Sequence, residues 1–250
     1  MDALIALHKP MARRLPAAPA RPKSALARPW LHTTPQSLVA PASRIVLVAP
    51  HPDDEVLALG GTVAQLARCG HEVLVYAVTD GEASHPGSGR WTPAQLLQTR
   101  PQESADALAQ LGIAAHVIRL GLPDGGVAAE ERSLAMQLQL LSTDTVFVPW
   151  RFDGHPDHEA CARATLAAAR TAGARCIEFP VWALVPEHEA HGRLRQRALQ
   201  CIAVDAGLMR AKARAVQAFQ SQIQPDGDAA PVLQPSALRA WSGRCEWVMA

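Results

Sequence analysis

From residue 44 onward the chain alternates short apolar runs with longer stretches of helical period. "RIVLVA" at 44–49 is apolar and β-branched along its length, the pattern of a strand buried on both faces. "EVLALGGTVAQLARCG" follows, with Val56, Leu59, Val63 and Leu66 at helical spacing, and predicts a helix over 55–70 that Gly70 ends. "HEVLVYAVT" is a second buried strand. After a Gly/Ser-rich loop, 92–112 reads as a helix, with Thr92 as N-cap, Pro93 in its first turn and Pro101 as a kink or break. "AAHVIRL", "DTVFVPW" and "RCIEFPVW" are the third, fourth and fifth strands. Helices are expected at 129–142, 155–173 and 207–223. "LQCIAVD" is a candidate sixth strand, and the tail from 225 is irregular apart from a strand near 245–248.

Strands alternating with helices imply βαβ units. The expected fold is α/β, a Rossmann-like three-layer sandwich with a mostly parallel sheet. Its active site would lie at the C-terminal ends of the strands, where strand order reverses.

Composition adjusts this picture at the N-terminus. Residues 1–43 hold the bases Lys9, Arg13, Arg14, Arg21, Lys23 and Arg28, a single acid, Asp2, and many prolines. They read as a Pro/Arg-rich arm or surface strap, leaving 44–250 as the domain. The arm resembles a transit peptide in charge, but its prolines break any long amphipathic helix. The net charge of +1 gives no reason to expect nucleic acid as a partner. No apolar run is long enough for a membrane span. Cys69, Cys161, Cys176, Cys201 and Cys245 are scattered, so reduced thiols and a cytoplasmic location are expected. A homo-oligomer, with the arm laid on a neighbouring subunit, stays open.

The chemistry concentrates in two clusters. "HPDDE" (51–55) ends the first strand, and "FDGHPDHEA" (152–160) follows the fourth. In a sheet of order 3-2-1-4 those strands are neighbours, and the clusters share one pocket. His51, Asp54 and His158 suit a divalent metal that keeps an open position. Asp53, beside them, is placed to take a proton from water. His155 is placed to stabilise or protonate the oxyanion of a tetrahedral intermediate. Asp157 is expected to hold the imidazole of His155. Each residue alone also fits a loop or a helix cap. The joint pattern points to metal-assisted amide hydrolysis.

"PHPDDE" with "HPDH" resembles the PIG-L / LmbE-like deacetylases. "TDGE" (79–82), "RPQES" (100–104), "LGLPDGG" (120–126) and "KARAVQAFQSQI" (212–223) extend the resemblance over about 44–222. It implies a zinc-dependent N-deacetylase, with another divalent metal such as Fe2+ as an alternative. The implied substrate is a small N-acetylated amino sugar or glycoconjugate. A related amidase acting on a non-sugar or thiol-conjugate amide is the other reading. The resemblance gives the same roles to His51, Asp54, His158, Asp53, His155 and Asp157, and adds Arg100 and Asp124 as substrate-binding residues. Arg100 could instead pair with Glu103 or Asp106, and Asp124 could simply make a turn. Some relatives carry Tyr two residues before the second-cluster histidine. Asp153 stands there in this chain, and is expected to favour a cationic or hydroxyl-rich substrate group.

Overall fold

The apolar runs pair into one all-parallel sheet in a computed structural model that describes residues 31–195 and 197–249. In chain order the elements are β1 (Leu31–Thr33), α1 (Pro35–Leu38), β2 (Ile45–Ala49), α2 (Asp54–Leu57), α3 (Gly60–Arg68) and β3 (Val73–Ala77). Then come α4 (Pro93–Gln110), β4 (Ala115–Arg119), α5 (Glu131–Gln137), β5 (Thr145–Pro149), α6 (Pro156–Ala172) and β6 (Arg175–Phe179). The chain ends with α7 (His191–Leu194), β7 (Leu199–Ala203), α8 (Ala206–Ala215), α9 (Gln220–Ile223), α10 (Pro235–Trp241) and β8 (Cys245–Met249).

The main sheet has the order β4-β3-β2-β5-β6. Every residue of β2 and β5 is buried, because helices cover both faces. Ile45 and Leu47 face a core completed by residues of α3, α4 and α8, while Val46 and Val48 face one completed by α5 and α6. The result is three layers. β2 and β5 are parallel neighbours in register from Ile45↔Thr145 to Leu47↔Phe147. The segments that leave their C-terminal ends are the two His/Asp clusters.

Several expectations change. The helix expected over 55–70 is two helices, α2 and α3, because the Gly61 and Thr62 N–H groups turn to the Glu246 carboxylate at 2.9 and 2.7 Å. α4 runs through Pro101 unbroken. The carbonyl one turn earlier, on Leu97, has lost its N–H partner to the proline and accepts from Arg119 Nη2 at 3.2 Å instead. β7 does not extend the main sheet but lies between β1 and β8 in a second one. α10 occupies part of the tail expected to be irregular.

Part of the segment read as an arm packs against the domain. β1 pairs in parallel with β7, Thr34 and Ser37 form a capping box for α1, and Leu38 and Val39 enter the core. The rest of the arm, with its basic run and transit-peptide likeness, lies outside the described residues. The expectation of reduced cysteines fails at one pair: Cys201 and Cys245 form a disulfide with a Cα–Cα distance of 5.4 Å. The β7–β8 register sets Cys201 opposite Trp247 and Cys245 opposite Ala203, so the two cysteines are diagonal neighbours within bonding reach. Their spacing of 44 residues hides this in the sequence, and the bond removes the thiol argument for a cytoplasmic location. Cys69, Cys161 and Cys176 are free.

Candidate active site

A cavity of about 330 Å³ opens over the C-terminal ends of β2 and β5. At its floor, where His51 and Asp54 line it, lies a buried triangle of donor atoms that His158 completes from behind. His51 Nδ1 lies 3.4 Å from Asp54 Oδ2, His158 Nε2 lies 3.2 Å from the same oxygen, and the two ring nitrogens are 3.3 Å apart. A cation bound tetrahedrally at about 2.0–2.1 Å separates its donors by about 3.3–3.4 Å, so these residues fit a small divalent metal. The charge fits as well. The carboxylates of Asp53, Asp54, Glu55, Asp124, Asp153 and Asp157 are all buried or nearly so, and Arg100 is the fixed cation among them. Such a surplus of buried negative charge is costly without a further positive charge.

The imbalance appears in the titration of the floor. Burial opposes charge on His158, but Asp54 and Asp153 push its pKa up to about 9. His51 is likewise held well above its ordinary value against burial, by Asp124, Asp157 and Asp54. Burial would raise Asp54, yet His158 and His51 hold it well below the usual carboxylate range. A metal at the triangle would take over the role of those imidazole protons.

Both imidazoles have outer carboxylate partners, as is usual where an imidazole holds a metal. His158 Nδ1 lies 2.9 Å from Asp153 Oδ2. His51 Nε2 faces Asp124 Oδ1 at 3.2 Å and Asp157 Oδ2 at 3.4 Å. The donor atoms of His51, Asp124 and Asp157 form a second close group, as do those of His51, His155 and His158. Asp124 and Asp157 address the ring nitrogen of His51 that points away from the triangle.

Two expectations change here. The Asp157 carboxylate does not hold His155. It accepts from the Gly125 and Val127 N–H groups at 2.7 and 3.2 Å and faces His51. It is the backbone N–H of Asp157 that reaches His155, donating to Nδ1 at 3.3 Å, because His155 is the N-cap of α6. With Nδ1 accepting, the neutral ring carries its proton on Nε2. Asp153 is not among the residues that line the cavity either. It is fully buried, and besides His158 it accepts from the N–H groups of Val181, Trp182 and Ala183 at 2.9–3.0 Å.

Asp53 borders the triangle and lines the cavity. Its φ of 148° is a strained value for a residue with a side chain. The Glu55 carboxylate holds it there by accepting the Asp53 N–H at 3.1 Å, and Ser104 Oγ hydrogen-bonds to the same side chain. Arg100 pairs with neither Glu103 nor Asp106. It donates to Asp53 Oδ2 and the Pro52 carbonyl at 3.1 Å, and to the Gly81 carbonyl at 3.0 Å. This explains the glycine of "TDGE": a Cβ on Gly81 would lie 1.8 Å from Arg100 Nη1. Burial raises the Asp53 pKa, Arg100 lowers it, and burial wins, leaving it at about 7. Burial, then His158 and His51, lower His155 to about 4, so its ring is neutral near pH 7.

Asp124 sits in the expected Pro-Asp-Gly turn, closed by the Gly126 N–H on the Pro123 carbonyl at 3.0 Å, and it is also a bridge. It accepts the Ala83 N–H at 2.9 Å, faces His51 and lines the cavity. Sequence reasoning missed Gln222, Trp182 and Trp241 in the cavity wall. Gln222 is fully buried and its Oε1 has no hydrogen-bond partner among the described residues. The only sequence signal was the match of 212–223 to the family pattern.

The family model for PIG-L, GlcNAc-PI de-N-acetylase, matches residues 46–169, the span that carries the triangle, Asp53, His155 and their partners. Over that span the chain is similar to the PIG-L family. A 1D-myo-inositol 2-acetamido-2-deoxy-alpha-D-glucopyranoside deacetylase of Rhodococcus opacus is 31% identical over 195 residues, covering 67% of this chain and 65% of that protein. A 2'-N-acetylparomamine deacetylase of Streptomyces fradiae is 28% identical over 134 residues, covering 46% of this chain and 48% of that protein. The crystal structure of a conserved protein from Thermus thermophilus aligns with a TM-score of 0.56 and 28% identity, covering 80% of this chain and 84% of that one. The matches span about two thirds or less of these curated relatives' own length.

Proposed function

We propose that this protein is a metal-dependent N-deacetylase that hydrolyses the acetamide of an N-acetylglucosamine-type sugar or glycoconjugate. The observation that carries the reading is the donor triangle of His51, Asp54 and His158, with Asp53 and His155 on the same cavity. The relatives' names, each a deacetylase of an acetylated amino sugar, support the substrate class. Two imidazoles and one carboxylate with an open fourth position suit zinc.

In this reading His51, Asp54 and His158 hold the metal. A divalent cation there supplies Lewis acidity, polarising an amide carbonyl and acidifying water. Asp53 accepts the proton of the attacking water. The strained backbone at 53 and the ion pair with Arg100 fix its carboxylate at the cavity floor. His155, protonated on Nε2, donates a hydrogen bond to the oxyanion that develops on the carbonyl oxygen. Asp53 then returns its proton to the leaving amine. Asp157 and Asp124 orient His51, and Asp153 orients His158. Arg100 and Asp124, which both line the cavity, are the proposed contacts to a sugar hydroxyl. The test is release of acetate from N-acetylglucosamine derivatives by the zinc-loaded protein. Acetate is expected from the wild type, and its absence from every N-acetyl sugar tried would overturn the reading.

A further inference from the structure

The cavity has two unlike walls. One is the polar set described above. The other is apolar, made by Leu57, Val181, Trp182, Val232, Leu233 and Trp241. Its residues come almost entirely from outside the matched span of 46–169: the turn after β6, the segment before α10, and α10 itself. The chemistry thus sits on the shared part of the chain and the apolar wall on the remainder.

This wall is built. Trp241 is 4% exposed, and its indole N–H donates to the Val181 carbonyl at 3.0 Å. Trp182 packs edge-on against Trp241 with ring centroids 5.7 Å apart, and tilted against His188 at 5.8 Å. The Trp182 backbone N–H donates to Asp153, the same carboxylate that faces His158. Trp182 is half-buried, so one part of a fixed indole remains open on the cavity. Trp182 and Val232 carry the open part of this apolar surface, because Leu57, Val181, Leu233 and Trp241 are only 1–4% exposed. An apolar wall next to a few fixed polar groups is how sites bind ligands that are polar at one end and greasy at the other.

We infer that the substrate carries an alkyl or aryl group on its sugar, and that this aglycone lies against the Trp182–Trp241 wall. The inference rests on the deacetylase reading, in which the acyl group is a small acetyl. The apolar contact then falls to the sugar's substituent and not to the acyl chain.

The experiment compares acetate release by the zinc-loaded full chain from three substrates: free N-acetylglucosamine, its p-nitrophenyl β-glycoside and its octyl β-glycoside below the micelle-forming concentration. Release of fatty acid from N-octanoylglucosamine is measured beside them. The octyl and aryl glycosides are expected to exceed the free sugar in kcat/KM by about tenfold or more, chiefly through KM, from burial of apolar surface. In Trp182→Ala the ratio of octyl glycoside to free sugar should fall towards one, and in Trp182→Phe it should be largely kept. Equal kcat/KM for glycosides and free sugar in the wild type would overturn the inference while leaving deacetylation standing. N-octanoylglucosamine outperforming the acetyl glycosides would overturn it too, by putting the apolar group on the acyl side. No acetate from any of the three would overturn both readings.

Discussion

At the scale of single residues, Asp53 concentrates the proposed chemistry. Its carboxylate is buried, raised to about 7 and tied to Arg100. A general base works only when ionised, so kcat/KM should be low below the Asp53 pKa and rise with pH through about 7, which a pH–rate profile checks. Asp53→Ala should cost about 100- to 10,000-fold in turnover while the metal content, read by elemental analysis, stays at the wild-type level. His51→Ala or His158→Ala should instead lose the metal itself. The φ of 148° adds a separate expectation, since such backbone strain costs about 1–3 kcal/mol. Asp53→Gly should therefore melt above Asp53→Ala in thermal unfolding, the reverse of the usual order for these two residues.

At the scale of elements, one carboxylate from β8 fixes the start of α3. Glu246 is 2% exposed, accepts from the Gly61 and Thr62 N–H groups, and pairs with the buried Lys212 of α8 at 2.6 Å. Gly61 admits this approach because a Cβ there would lie 2.9 Å from Val204, 3.0 Å from Met209 and 3.2 Å from Glu246. Replacing one partner strands the other in the core. Glu246→Ala should lower the unfolding free energy by about 3–5 kcal/mol in urea titration. Glu246→Leu with Lys212→Met should recover part of that, since no charge is then left unpaired.

At the scale of the whole molecule, two links tie distant segments together. The metal would join the ends of β2 and β5, so a chelator should lower the melting temperature and added zinc should restore it. The Cys201–Cys245 bond closes a loop of 44 residues that holds α8, α9 and α10. Reducing it should lower stability to denaturant by about 2–4 kcal/mol, measured against the oxidised protein.

The sequence by itself determined β2, β3 and β5, because a strand buried on both faces must be apolar throughout. It also marked the two segments that meet beside the cavity, because His and Asp at that density stand out at strand ends. It marked His51, Asp53, Asp54, His155 and His158 by type and spacing. Only the tertiary structure decided what each outer residue faces. Asp157 turned from His155 to His51, Arg100 took Asp53 and two carbonyls, and Asp153 left the substrate side to hold His158 and the Trp182 loop. The break before Gly60, the intact α4 at Pro101 and the disulfide were decided the same way, by Glu246, Arg119 and the β7–β8 register. Periodicity records the burial of a residue's own element. It carries no trace of a partner brought in from far along the chain, and the apolar wall over the site is made almost wholly of such residues.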